Sequence, residues 1–370
     1  MDWSPQQETA IKRAVTWAKA EGGPQVHRIF GYAGTGKTTL AKEVEARMKG
    51  DVLYAAFTGK AASVMRKKGC HNASTLHSLI YRIKDEKAEN PEFELNQDSD
   101  VRRAKLVIVD EVSMVDEQLG TDLISFGTKI LVLGDPAQLP PIKGAGFFTT
   151  GEPDTMLTEV HRQARDNPII RMSMQIREGG KFEPGIYGES TIIERAHIHP
   201  DEIGKHVLAA DQVIVGLNKT RFHYNDRLRE LKGMKGAGGI PVLGDKLVCL
   251  KNDRRAKVLN GTIWYCSEAI LGKYNVVEMT ISPEDAEGRF EREVRVRREF
   301  FLGTEATVPW ENRKGQQEFT YGYALTCHKS QGSQWNNVVI FDEGAAFRED
   351  ATRWRYTAVT RAAEKVMVIV

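Results

Sequence analysis

Apolar residues fall into short continuous runs separated by longer stretches with a helical repeat. VHRIF (26–30), VLYAAF (52–57), KLVIV (105–109) and KILVL (129–133) read as strands buried on both faces. Before and between the first three of these runs lie segments of helical character, 4–20, 37–48 and 61–68. The first has Ser4 as its cap, Pro5 at its first position, and Ile11, Ala14, Val15 and Ala18 on one face. Strands alternating with helices predict an open α/β sheet. Residues 81–103 break the pattern: they are polar, charged and interrupted by Pro91, so they read as a small hairpin containing Phe93 and Leu95 or as a disordered loop.

The second half resumes the alternation with a helix over 167–178, a strand at 211–215 and a basic amphipathic helix over 218–231. From Gly236 the style changes. GDKLVCL, KVLNGTIWYCSEAI, YNVVEMTI and EREVRVRREF alternate apolar and polar positions and are joined by Gly, Asn and Pro turns, which predicts a small inserted barrel. The arginines of RVRREF suit either a nucleic-acid backbone or a solvated strand face. Strands at 319–325, 337–341 and 366–370 and a helix over 354–362 complete the reading.

At 370 residues the chain is long for one core. No apolar run is long enough to span a bilayer, and the first residues lack the apolar core of a signal peptide, so a cytoplasmic location without membrane contact is expected. Cys70, Cys249, Cys266 and Cys327 have no C-x-x-C spacing, which predicts buried thiols rather than zinc ligands or disulfides. A formal charge of +2 leaves the partner open.

Specific chemistry begins at GYAGTGKTT, residues 31–39, which fits the pattern G-x-x-x-x-G-K-[ST] at every fixed position. Gly34, Thr35 and Gly36 form a tight loop of inward N–H groups, Lys37 reaches β- and γ-phosphates, and Thr38, followed by Thr39, holds Mg²⁺. Gln7 offers an amide that matches both edges of an adenine ring, or is a solvated helix residue. Asp110 and Glu111 follow a buried strand where a Mg·nucleotide would sit, Asp110 holding the metal through water and Glu111 deprotonating the attacking water. The loop GDPAQLPP (134–141) is stiff. Its Gln138 senses a γ-phosphate or attacking water, or the loop is an interdomain turn. Thr58 and Lys60 lie at a strand's carboxyl end, on a rim suited to a phosphate backbone. Thr75 caps a short helix presenting His77, either as a ligand-facing or as a packed histidine.

The ordered set GYAGTGKTT, AFTGKAA, STLH, VIVDEVSMV and LGDPAQLPP resembles the first motor domain of superfamily 1 helicases, in the branch with RecD-like and Dda-like enzymes. The resemblance implies two RecA-like P-loop motor domains, the first at 1–80 and 102–155 with a pin-like insertion at 81–101. It implies the second at 156–235 and 319–370, with a β-barrel (SH3-like) insertion at 236–318. LTEVHRQ then places Arg162, and WRYTAVTRA places Arg361, at the γ-phosphate. TCHKSQGS places Thr326 and His328 along a single strand and Gln331 and Gly332 at the nucleotide. Relatives often carry a glutamate where this chain has Gln334, which weakens the expected ribose contact.

The implied activity is ATP hydrolysis with Mg²⁺, coupled to 5′-to-3′ movement on single-stranded DNA and to duplex unwinding. The implied partners are single strands, single/double-strand junctions, and a single-stranded-DNA-binding protein or replication proteins. Two alternatives stand beside it: a single-strand translocase that strips proteins with little unwinding, and a P-loop NTPase that does not act on nucleic acid.

Overall fold

The protein is seen in a computed structural model describing residues 3–83, 93–141, 146–159, 167–234, 236–253, 255–284 and 291–370. It divides into two compact units, the first comprising Met1–Lys181, Gln331–Ser333 and Arg348–Thr360, the second the remainder.

In the first unit six parallel strands run in the order Ser74–Thr75, Val52–Ala56, Leu106–Asp110, Ile130–Gly134, Val26–Gly31, Thr155–Leu157. Alternation along each strand divides the core. Ile29, Ile108, Leu131 and Leu133 pack with Ala10, Ile11, Leu40, Val44 and Met65 on one face. Phe30, Val107, Val109 and Val132 pack with Leu76, Ile80, Leu119 and Leu123 on the other. Two layers of helix thus cover continuous apolar strands, which is why KLVIV and KILVL carry almost no polar residue. The opening helix spans Pro5–Lys19 with the predicted Ser4 cap, and the Gln7 side chain returns the bond to the Ser4 N–H.

The second unit contains another six-stranded sheet, ordered Ala324–Thr326, Gln212–Val215, Trp335–Phe341, Ala362–Ile369, Ser190–Ile193, Gly185–Tyr187, parallel except for its last pair. Beside it an antiparallel sheet runs Arg292–Arg297, Val276–Pro283, Ile263–Leu271, Lys246–Cys249, Phe319–Tyr321. A buried ion pair ties helix Asn218–Leu231 to this sheet, with Arg229 Nε and Nη2 each 2.9 Å from an Asp245 oxygen. Two of the three arginines of RVRREF face carboxylates: Arg295 lies 3.5 Å from Glu278 and Arg297 2.7 Å from Glu299.

Three local expectations change. The strand read over 319–325 is two strands in different sheets, broken at Gly322, where a Cβ would stand 3.0 Å from the Leu247 carbonyl carbon. The helix read over 354–362 spans Ala351–Val359, because Ala362 already pairs with Trp335. Residues 156–159 and 167–181 fall in the first unit, in which Thr155–Leu157 pairs with Val26–Gly31. Tyr81–Ile83 pairs antiparallel with Phe93–Leu95 as the hairpin reading expects, and 84–92, the centre of the proposed pin, lie outside the described residues.

Candidate nucleotide site

The strand Val26–Gly31 delivers the phosphate loop to helix Lys37–Ala46. Gly34 and Gly36 both stand at φ +78°, a region that penalises any Cβ. Gly31 is equally constrained, because a Cβ there would fall 2.6 Å from Thr35 Oγ1. Gly36 is the helix N-cap and supplies no side-chain bond, so the first N–H groups of the helix are not capped by it. Lys37 folds back, donating to Gly31 O at 2.6 Å and Tyr32 O at 3.1 Å. Thr35 is structural: its hydroxyl donates to Tyr32 O, and its carbonyl accepts from Gln7 Nε2 at 2.9 Å. Both ends of the Gln7 amide are thereby engaged, one in the helix cap and one on the loop.

The strand Leu106–Asp110 brings its last residue under the loop. Thr38 Oγ1 donates to Asp110 Oδ2 at 2.9 Å, joining residues 72 apart in the chain. Asp110 Oδ1 accepts from the Glu111 N–H at 2.8 Å. Glu111 sits at φ 54°, ψ 46°, an uncommon conformation for a residue with a Cβ that turns its side chain out of the strand direction. Strand Ile130–Gly134 runs into the third loop, where Gln138 is buried with Oε1 unbonded. Ser113 Oγ is buried and unbonded as well, and both side chains line a cavity of about 520 Å³ with Asp135, Pro140, Thr149 and Arg353. Buried polar atoms without partners are the places where a bound group or water is wanted.

The sequence reading does not single out one residue that organises this site. Tyr356 on helix Ala351–Val359 donates to Asp135 Oδ2 at 2.7 Å and accepts from the Ala33 N–H at 2.9 Å. Its partners lie 221 and 323 positions away, beyond any local signal. Gln331 Nε2 donates to Leu139 O at 3.0 Å, and Gly332, at φ +73°, approaches so closely that a Cβ would stand 2.8 Å from Ala61 Cβ. Gln331 and Gly332 therefore sit in the same unit as the phosphate loop.

The residues expected on a nucleic-acid face are placed differently. Thr58 Oγ1 accepts from Ala61 N–H at 3.1 Å and Thr75 Oγ1 from Ser78 N–H at 3.2 Å, so both hydroxyls cap helices. Lys60 is buried, 6% exposed. His77 is exposed, with its ring 5.8 Å from Phe57 and 5.9 Å from Tyr81. In the second unit Thr326 is buried at the end of its strand, and His328 lies 5.7 Å from the Phe347 ring. Arg361, buried in that unit, accepts the Trp335 N–H on its carbonyl. Arg162 lies outside the described residues, and Thr39 is exposed on the first turn of its helix.

Residues 2–196 match the family model described as an AAA domain, and residues 321–369 that of a UvrD-like helicase C-terminal domain. The ATP-dependent RecD2 DNA helicase of Deinococcus radiodurans is 29% identical over 378 residues, covering 92% of this chain and 46% of that protein. The ATP-dependent DNA helicase dda of Enterobacteria phage T4 is 34% identical over 166 residues, 41% of this chain and 37% of that protein. This chain therefore spans less than half the length of either relative. A crystal structure of Bacteroides Pif1 bound to ssDNA shares the fold, with TM-score 0.59 at 16% identity over 99% of this chain and 92% of that one. The two α/β units are the RecA-like domains of that fold. With the first model spanning more than half of its length, the chain belongs to the AAA-domain family, and it is similar in sequence to the RecD2 and dda helicases and in fold to Pif1.

Proposed function

We propose that this protein hydrolyses ATP to move along single-stranded DNA from 5′ to 3′ and to separate duplex at single/double-strand junctions. The observation that supports it most strongly is the Thr38 hydroxyl 2.9 Å from Asp110, beneath a loop whose Gly34 and Gly36 hold φ +78°. A hydroxyl and a carboxylate are hard oxygen donors that fit Mg²⁺, and the uncapped N–H groups after Gly36 fit phosphate. Mg²⁺ held there would neutralise charge between the β- and γ-phosphates. The chain's own groups do the rest. Lys37 exchanges its two loop carbonyls for phosphate oxygens, Glu111 takes the proton of the attacking water, and Gln138 orients that water with its unbonded Oε1. Arg361, together with Arg162, answers the charge on the γ-phosphate.

The candidate strand contacts are His77 in one unit and Thr326 and His328 in the other, while the Thr58 and Thr75 hydroxyls serve as caps of the helices beside His77. His77, exposed beside Phe57 and Tyr81, is a platform on which a base can stack. Lys60, being buried, acts through the fold of its helix. The antiparallel sheet of the second unit is read as the SH3-like insertion.

The test is Mg·ATP hydrolysis at low salt, with and without a long unstructured single-stranded DNA. Strong stimulation that disappears in Lys37→Ala supports the reading. Turnover indifferent to DNA transfers it to RNA, and indifference to both leaves an NTPase without a nucleic-acid partner.

A further inference from the structure

One phenol joins two loops of the nucleotide site. Tyr356 is fully buried, and its oxygen makes two hydrogen bonds, accepting from the phosphate-loop Ala33 N–H and donating to Asp135. Asp135, 3% exposed, in turn shapes the loop that carries Gln138: its Oδ1 accepts from Ala137 N–H at 3.0 Å, and its carbonyl accepts from Gln138 N–H at 3.1 Å. One position further along the same helix, Thr357 Oγ1 accepts from Leu139 N–H at 2.9 Å. Gln138 is thus bracketed on both sides by bonds that lead to helix Ala351–Val359.

The phosphate loop is braced elsewhere too, since the Arg177 guanidinium stands 3.6 Å from the Tyr32 ring centre. Tyr356, however, touches both loops at once, and two residues after its helix the chain reaches Arg361. Burial, reinforced by Asp135, pushes the phenol well above its ordinary pKa, so it remains a donor across the working pH range.

We propose that Tyr356 is a positioning residue for hydrolysis: its hydroxyl fixes the spacing between the phosphate loop and Gln138 and passes a change in either loop to the helix that leads to Arg361. The inference rests on the ATPase reading above. A benzyl ring would fill the same space, so Tyr356→Phe removes only the hydroxyl and its two bonds.

The experiment uses the full chain. Wild-type hydrolysis is measured first; absence of any turnover removes the ATPase reading and this inference with it. If the wild type is active, Tyr356→Phe is compared for kcat, KM, affinity for a fluorescent ATP analogue and thermal midpoint. Misplacing a water-orienting group predicts kcat lower by about 10- to 100-fold, with KM and analogue affinity within about threefold. The pH profile keeps its shape. Asp135→Asn, which removes one of the two acceptors, gives a kcat loss of the same order, and the double variant is no worse than the weaker single. Unchanged kcat in folded Tyr356→Phe, a rise in KM at constant kcat, or additive losses in the double variant each overturn the proposal. If Tyr356→Phe does not fold, Asp135→Asn alone decides by the same split between kcat and KM.

Discussion

Three helices of the first unit begin at the carboxyl ends of parallel strands of one sheet, and they begin in two ways. Helices Gly59–Lys67 and Leu76–Ile80 are capped by the hydroxyls of Thr58 and Thr75. Helix Lys37–Ala46 is preceded by Gly36, left-handed and without a side-chain acceptor. Every helix presents N–H groups at its start that need acceptors. Where threonine supplies one, the helix is complete in itself; where glycine stands, the donors remain for a ligand, and the positive end of the helix dipole favours an anion. A sequence motif read as ligand-binding can therefore be doing either job. The structure separates them by asking which hydroxyl is already used.

The sharpest way to test the comparison is at the nucleotide. Removing Arg361 as Arg361→Ala should lower turnover by about 10³ to 10⁵ while sparing analogue binding, as expected for a cation that acts on transition-state charge. Equal turnover would deny Arg361 any part in the site. Gly36→Ala forces a Cβ into φ +78°, which costs about 1 to 2 kcal/mol and should weaken analogue binding more than it lowers the thermal midpoint. Analogue affinity equal to the wild type would mean that the open helix start does not hold the phosphates.

The capped helices should respond in the opposite sense. Thr58→Ala and Thr75→Ala should each cost about 1 kcal/mol of stability, seen in the denaturation midpoint, with single-strand affinity changed only a few-fold. A tenfold loss of affinity at unchanged stability in either variant would make that hydroxyl a strand contact and erase the distinction. The smallest effect is expected at the cysteines. All four are buried, and burial pushes Cys249, Cys266 and Cys327 up to about 12. Because the reactive thiolate is scarce below that pH, the native protein should resist alkylation at pH 8, and labelling should appear only on unfolding.

Much of this was legible because the strands of the first sheet are buried on both faces, so KLVIV and KILVL show as unbroken apolar runs. Ser4 and Pro5 announce the first helix through local chemistry alone. Reading failed where the deciding contact is distant. FTYGYAL is apolar throughout, and nothing in it tells that Phe319–Tyr321 joins one sheet and Ala324–Thr326 another. Tyr356 looked like one more residue of an apolar helix because Ala33 and Asp135 are far off in the chain. From sequence, Gln7 reads as an adenine-matching amide or a solvated helix residue, whereas the Ser4 N–H and the Thr35 carbonyl occupy its two ends.

The central claim is that the open helix start at Gly36 binds the nucleotide that drives movement on a strand. It is met most directly by strand displacement from a duplex with a 5′ tail and from one with a 3′ tail, using wild type and Lys37→Ala with Mg·ATP. The account predicts release of the labelled strand from the 5′-tailed substrate by wild type alone. Equal release by Lys37→Ala, or none from either substrate while wild type hydrolyses ATP, would contradict it.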